Sequence, residues 1–91
     1  NVLKEHPDIS DVAVVGIPDD KWGEIIGCFI RFINNSISTS DLKKFCRKNI
    51  SPQKTPSIWV RIDNFPLTGS GKIQKFKLRE DFCSGYLKQM E

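Results

Sequence analysis

The chain has 91 residues and a formal net charge of +3, and 38% of its residues are hydrophobic and 27% charged. These values are typical of one small globular domain. No apolar run approaches the ~20 residues of a membrane-spanning helix, so the sequence predicts no membrane span. Its three cysteines are far apart and form no Cys-x-x-Cys pair, and it has one histidine. This argues against a zinc site or a disulfide framework, and we expect a reducing compartment.

The first third of the chain predicts two strands. Residues 1–6 are typical of the end of a helix already under way, so we expect another domain upstream. Residues 12–17 form a continuous apolar, β-branched run, which predicts a central strand buried on both faces. Residues 25–33 alternate between two apolar faces and predict a second strand, which Asn34 and Asn35 end.

A helix is predicted next, followed by a proline-rich loop. Ser38 and Asp41 form a capping signature, and apolar residues follow at helical spacing: Leu42, Phe45, Cys46 and Ile50. Pro52 and Pro56 then bracket a loop around Lys54.

The remaining elements complete the predicted fold. Residues 58–62 alternate as a third strand, and residues 76–90 predict a helical tail. We therefore predict an α+β fold: a two-layer domain with a small, mostly antiparallel sheet of about three strands and helices packed on it.

Residues 66–75 are the most informative segment, because they place Lys72 in a loop rich in glycine and hydroxyl groups. Glycine adopts backbone angles closed to other residues and lets a ligand approach the main chain. A lysine ammonium carries three donors and suits an oxyanion or a phosphate. The residues that support this lysine are Thr68, Gly69, Ser70 and Gly71. The segment predicts a site that presents one cation to an anion.

Two other interpretations of this loop compete with an anion-binding site. A phosphate-binding P-loop has a glycine four residues before its Gly-Lys pair and a serine or threonine directly after it. Here those positions hold Pro66 and Ile73, so the P-loop interpretation fails at both ends. A polar turn with a surface lysine is common, and the loop alone does not exclude it.

Several motifs in the same order resemble the C-terminal domain of the acyl-adenylate-forming ligases, over nearly all 91 residues. Besides the lysine loop, they are His6-Pro7-Asp8, residues 12–19, Gly23-Glu24 and Leu78-Arg79-Glu80. The form of the lysine motif, Ser70-Gly71-Lys72-Ile73-Gln74-Lys75, is most similar to that of medium-chain fatty acyl-CoA synthetases.

The resemblance implies that residues 1–91 are the mobile C-terminal (lid) domain of an AMP-forming acyl-CoA synthetase. Such enzymes convert a fatty acid, ATP and coenzyme A to acyl-CoA, AMP and diphosphate through an acyl-adenylate. It implies that Lys72 is the catalytic residue and contacts ATP. The partner is the large N-terminal domain of the same chain, where Mg²⁺ is expected with ATP, and no metal is expected on this domain. A cytoplasmic location is expected, or the mitochondrial matrix in a eukaryote.

The resemblance also implies contacts with coenzyme A. The residues at the matching positions are Arg47, Thr55, Pro56 and Ser57. Some relatives have an arginine where this chain has Trp22, and Lys21 is the candidate to replace that contact.

Two alternatives from other classes stay open at this point. One is an adenylation domain that loads a carrier-protein arm, and the other is a small basic module that binds an anion or nucleic acid. The basic residues of the predicted helix, Lys43, Lys44, Arg47 and Lys48, are more typical of a solvated face than of a nucleic-acid surface. With one loop cation and no base–nucleophile pair, we expect the isolated domain to be inactive. Aromatic residues interleave poorly with the basic ones, and no RNP-like or helix-turn-helix pattern is present, so we expect no nucleic acid as a partner.

Overall fold

The computed structural model of the protein describes residues 2–33, 37–49 and 56–90. A 3-10 helix, Val2–Glu5, is followed by strands β1 (Ile9–Asp19) and β2 (Gly23–Phe32), helix α1 (Thr39–Asn49), strand β3 (Ile58–Arg61) and helix α2 (Lys75–Cys83). This confirms the predicted α+β class and the three strands. The predicted strand end at Asn34 and Asn35, residue Ile50 of the helix, and the loop with Pro52 and Lys54 lie outside the described residues.

The sheet has the order β1-β2-β3. β1 and β2 form a long antiparallel hairpin, whereas β2 and β3 are parallel. The sheet is therefore mixed, with the antiparallel pair as its larger part.

β1 is an outer strand of this sheet, and the prediction of a central strand at residues 12–17 was wrong. Its residues alternate: Ala13, Val15 and Ile17 are buried, whereas the residues between them are only partly buried. The central strand is β2, which has partners on both sides and buries consecutive residues on both faces. A β-branched run predicts a strand, but it does not determine the place of that strand in the sheet.

The two helices cover opposite faces of the sheet. Leu78 of α2 packs with one set of buried residues, the α2-side core: Ala13, Val15, Ile17, Phe29, Ile58, Val60 and Ile62. Two residues of α1, Leu42 and Cys46, pack with the other set, the α1-side core: Leu3, Ile9, Cys28, Ile30 and Trp59. Because successive strand residues point to opposite faces, Trp59 and Val60 divide between the two cores. The sheet thus lies between the two helices, and each helix packs on one of its faces.

α1 begins where its capping signature predicts. The hydroxyl of Ser38 accepts a hydrogen bond from the backbone N–H of Asp41 at 3.2 Å. This satisfies one of the unpaired donors at the helix N-terminus.

α2 ends at Cys83, so the prediction of a helix over residues 76–90 was wrong in its second half. Gly85 has a φ of +85°, a left-handed conformation that ends helices. Beyond it the chain runs beside β3, where the Met90 N–H donates to the Trp59 carbonyl at 2.7 Å. In this C-terminal segment Leu87 packs on the α2-side core and Met90 on the α1-side core.

The three thiols have different environments. Cys28 and Cys46 are fully buried in the α1-side core, as the sequence predicts for small core residues, whereas Cys83 is exposed. Burial raises the pKa of the Cys28 thiol, and the nearby Cys46 raises it further; burial also raises the pKa of Cys46. Since the thiolate is the reactive form, both buried thiols are inert in the folded chain.

We therefore expect alkylation of the native protein at pH 8 to modify Cys83 alone. Counting labelled thiols by mass spectrometry, with and without denaturant, checks this. The Cys83→Ser variant should show no native labelling and two labelled thiols after unfolding. Rapid native labelling of Cys28 or Cys46 would contradict the burial described here.

Candidate functional site

Residues 66–74 form a miniature hairpin, called here the lysine hairpin. Leu67 and Ile73 form an antiparallel bridge, and the Gln74 N–H donates to the Pro66 carbonyl at 2.8 Å. Closer to the tip, the Thr68 N–H donates to the Lys72 carbonyl, also at 2.8 Å. The predicted loop is thus a paired and ordered structure.

Gly71 closes the turn of this hairpin. Its φ is +87°, a backbone conformation that side chains rarely adopt, and its N–H donates to the Thr68 carbonyl at 2.9 Å. Gly69 has no positive φ, so the conformational freedom of glycine is used at Gly71. A β-carbon at either position would meet no atom within 4 Å, so the outer side of the turn is open.

The two hydroxyls of the turn bond within it. Thr68 Oγ1 accepts a hydrogen bond from the Lys72 N–H at 3.1 Å and lies 3.1 Å from Ser70 Oγ. The predicted supporting role of these residues therefore has a specific form. Thr68 holds both the N–H and the carbonyl of Lys72.

The Lys72 side chain is exposed, in contrast to its fixed main chain. Within residues 2–33, 37–49 and 56–90, no carboxylate lies within ion-pair distance of its ammonium. Backbone hydrogen bonds thus hold the main chain of Lys72 in place. The charge of its ammonium is not neutralised by a carboxylate of the described residues. Such a group attracts an anion from outside the domain.

The residues predicted for coenzyme A lie on other elements. Arg47 is exposed in the last turn of α1, on the sheet face opposite to α2. Pro56 is buried, and the exposed Ser57 donates its backbone N–H to the Ile26 carbonyl at 2.9 Å. Thr55 lies outside the described residues. The fold therefore places the lysine hairpin and Arg47 on elements that pack against different faces.

The β1–β2 turn presents two further side chains. The Asp19 carboxylate accepts hydrogen bonds from the N–H groups of Lys21 and Trp22, at 3.1 and 2.8 Å. Trp22 is 70% exposed, and the Lys21 ammonium lies 5.1 Å from the centre of its ring. At that distance the two side chains interact as a cation–π pair at an ordered, exposed tip.

His6 has a local structural role. Its Nδ1 accepts a hydrogen bond from the Asp8 N–H at 3.1 Å, and its ring packs edge-on against Phe45, with centroids 5.2 Å apart. In the described part of the chain no hydrogen bond joins His6 to a serine or cysteine. The histidine therefore does not form a base–nucleophile pair there.

Two further findings concern the same described ranges. No helix in them has the length and apolar character that crossing a membrane requires. No group of three or more His, Cys, Asp or Glu side chains in them could hold a metal ion.

One contact near the lysine hairpin was missed by the sequence analysis. Arg79 Nε donates a hydrogen bond to the Gly16 carbonyl at 2.8 Å. A glycine inside a strand often marks a close approach to the backbone, but the group that lies over Gly16 is the Glu24 carboxylate, so the glycine gave no signal for Arg79.

The described residues thus form a class of small α+β domain in which an ordered hairpin fixes the backbone of an exposed lysine. Within this class, the model of the AMP-binding enzyme C-terminal domain matches residues 1–72, and the chain belongs to this family.

Relatives and solved structures agree with that assignment. The chain is 49% identical over 76 residues to the human protein named medium-chain acyl-CoA ligase ACSF2, mitochondrial, covering 82% of this chain and 12% of the relative. It is 40% identical over 82 residues to the oxalate–CoA ligase of Arabidopsis thaliana, covering 89% of this chain and 16% of the relative. The structure of a Mycobacterium tuberculosis fatty acyl CoA synthetase matches with a TM-score of 0.85 and 32% identity, covering 92% of this chain and 17% of that one. The chain thus spans less than a fifth of the length of these proteins.

Proposed function

We propose that residues 1–91 are the mobile C-terminal domain of an ATP-dependent acyl-CoA synthetase, and that Lys72 acts in its adenylation step. The observation that supports this most directly is the lysine hairpin. It holds both backbone polar groups of Lys72 and leaves the ammonium exposed and unpaired among the described residues. Membership of the AMP-binding enzyme C-terminal domain family supports the assignment to this reaction class.

Adenylation brings two anions together, which is why it needs a cation. A substrate carboxylate oxygen attacks the α-phosphorus of ATP, a phosphorus–oxygen bond forms, and diphosphate leaves with the electrons of the bond that breaks. Lys72 contacts the carboxylate and the α-phosphate in this proposal, and its charge offsets their repulsion. A positioned charge stabilises a transition state most strongly when the site excludes water. The large N-terminal domain supplies the ATP and acid sites and Mg²⁺, and no step here is assigned to the metal.

The second half-reaction uses a different surface of the domain. The thiol of coenzyme A attacks the acyl carbon of the acyl-adenylate, a thioester forms, and AMP leaves. In this proposal the domain rotates between the steps, so that Lys72 is withdrawn and the coenzyme channel is completed. The lysine hairpin and Arg47 lie on elements that cover opposite faces of the sheet. This placement supports a rotation that replaces one surface with the other.

The coenzyme contacts are proposed at Arg47, Thr55, Pro56 and Ser57. Arg47 would meet a phosphate, because its guanidinium is exposed and forks to bind phosphate oxygens. Since Pro56 is buried, its contribution is to fix the chain beside the exposed Ser57.

A fatty acid is the proposed acyl substrate, and one relative, 49% identical over 76 residues, is named as a medium-chain acyl-CoA ligase. We propose the cytoplasm as the location. In a eukaryote the proposed location is the mitochondrial matrix, since that relative is named as mitochondrial.

Replacing Lys72 should damage one half-reaction and spare the other. In the complete ligase, Lys72→Ala should slow adenylation by roughly 10²–10³-fold, equivalent to about 3–4 kcal/mol, because one preorganised donor is lost. The variant should fold, since both hydrogen bonds of Lys72 within the hairpin involve its main chain. Pyrophosphate exchange measures adenylation, and thioester formation from supplied acyl-adenylate measures the second step, which should stay near normal.

The matched control is Lys75→Ala. Lys75 is exposed at the first residue of α2, three positions after Lys72, and this change should be mild in both assays. Near-normal adenylation by Lys72→Ala would refute the catalytic role. Equal damage to both half-reactions would assign Lys72 a structural role.

Reversing the charge of Arg47 should affect the coenzyme alone. In the complete ligase, Arg47→Glu should raise the KM for coenzyme A and leave pyrophosphate exchange unchanged. A solvated charge contributes about 0.2–1 kcal/mol, and reversal costs somewhat more. The control is Lys48→Glu, which makes the same change in net charge one position further along α1. An unchanged KM for coenzyme A in Arg47→Glu would remove this residue from the site.

The isolated 91-residue chain should fold and yet form no acyl-CoA. The two cores supply its folding free energy, whereas most of each substrate site belongs to the other domain. Circular dichroism during thermal unfolding tests the first part, and incubation with ATP, a fatty acid and coenzyme A tests the second. Turnover by the purified chain would refute the proposed division of labour.

A further inference from the structure

Arg79 joins α2 to a distant part of the sheet. The hydrogen bond from its Nε–H to the Gly16 carbonyl, 2.8 Å long, links residues 63 positions apart in sequence. Gly16 belongs to β1, an outer strand, and Arg79 lies in the middle of α2. Within the described residues, this is the one side-chain hydrogen bond between α2 and the sheet.

The lysine hairpin continues directly into α2. Gln74 donates its N–H to Pro66 in the hairpin, and its carbonyl accepts from Lys77 and Leu78 in the first turn of the helix, at 3.1 and 3.4 Å. One residue therefore ends the hairpin and begins the helix. A rotation or a slide of α2 would be transmitted to Lys72.

The other attachments of α2 do not fix its direction. The helix has nine residues and no side-chain hydrogen bond at its N-cap, Gln74. Its packing consists of the buried Leu78 and of Phe82, whose ring lies edge-on to Phe29 with centroids 6.3 Å apart. Hydrophobic burial is non-directional, whereas a hydrogen bond fixes both distance and angle. Arg79 thus supplies a directional restraint that the apolar contacts lack.

The acceptor of this hydrogen bond is itself held in place. Gly16 is paired with Ile26 of β2, and a β-carbon at this glycine would clash with the carboxylate of Glu24, which lies over it. The carbonyl of Gly16 therefore belongs to a paired strand backbone, and the Arg79 side chain reaches it from the exposed side.

We propose that Arg79 is a positioning residue for adenylation: by binding the Gly16 carbonyl it orients α2 and, through it, the lysine hairpin that carries Lys72. This inference rests on the role proposed for Lys72 above. Arg79 itself contacts neither substrate, and its effect passes through the placement of the ammonium.

Two substitutions separate the hydrogen bond from the charge and the bulk of Arg79. Arg79→Met places a methyl group, and Arg79→Gln an amide N–H donor, at the same number of bonds from the backbone as the arginine Nε. Misplacing a catalytic group by about 1 Å costs on the order of 10²-fold in rate. In the complete ligase, Arg79→Met should therefore lower the adenylation kcat by roughly 10- to 100-fold. Arg79→Gln should retain most of that rate.

The other readouts should not move. Thioester formation from supplied acyl-adenylate and the KM for coenzyme A should stay within the roughly twofold effect of a neutral surface change. Lys75→Met is the control, since it removes a cation from the same helix without touching Gly16. Equal losses in Arg79→Met and Arg79→Gln would mean that the charge matters and the hydrogen bond does not, and would overturn the inference.

A double substitution tests whether Arg79 acts through Lys72. In the Lys72→Ala background, Arg79→Met should cause no further loss of adenylation, because there is no ammonium left to misplace. If the losses of the two substitutions multiply, this inference is refuted and the proposed function is not. The same holds if adenylation is normal in Arg79→Met while it is impaired in Lys72→Ala. Normal adenylation by Lys72→Ala would instead refute the proposed function, so the two failures are distinguishable.

Discussion

The burial of β2 on both faces is the constraint on which the rest of the domain depends. Its consecutive residues Cys28, Phe29 and Ile30 are all fully buried. Because neighbouring residues of a strand point to opposite sides, one helix cannot cover all three. The chain therefore needs α1 on one side and α2 on the other, and it needs β1 and β3 to pair with both edges of β2. The separation of the lysine hairpin from Arg47 follows from this arrangement.

The lysine hairpin fixes the main chain of Lys72 and leaves its side chain exposed. A lysine side chain is long and flexible, so a fixed backbone at the lysine limits the positions that its ammonium can reach. Thr68 fixes that backbone by bonding both the N–H and the carbonyl of Lys72. Gly71 supplies the left-handed turn that makes these bonds geometrically compatible. None of these interactions engages the ammonium, which stays exposed.

Local chemistry was predictable from the sequence, and long-range placement was not. The Ser38 cap, the three strands and the loop around Lys72 are each specified by neighbouring residues, and all of them are present. The position of residues 12–17 at the outside of the sheet depends on partners far along the chain, which a β-branched run does not encode. The helix at the C-terminus is shorter than predicted because Gly85, with a φ of +85°, ends it.

The same distinction applies to the site residues. The glycine and hydroxyl pattern around Lys72 predicted an anion-directed loop, which stays a prediction. The structure adds the hydrogen bonds by which Thr68 holds the main chain of Lys72. The link between Arg79 and Gly16 spans most of the chain, so no local pattern could specify it. The coenzyme residues remain predictions from resemblance, because a contact with another molecule leaves no mark on the fold of the domain itself.

The last quarter of the chain also closes the sheet at its two outer strands. Arg79 occupies a carbonyl of β1, and the N–H of Met90 occupies a carbonyl of β3, while the C-terminal segment runs alongside β3. Open strand edges are the places where separate molecules add to one another and aggregate. Each outer strand of this small sheet thus has one backbone carbonyl that is already hydrogen-bonded within the chain, so that position is not open to a strand from another molecule.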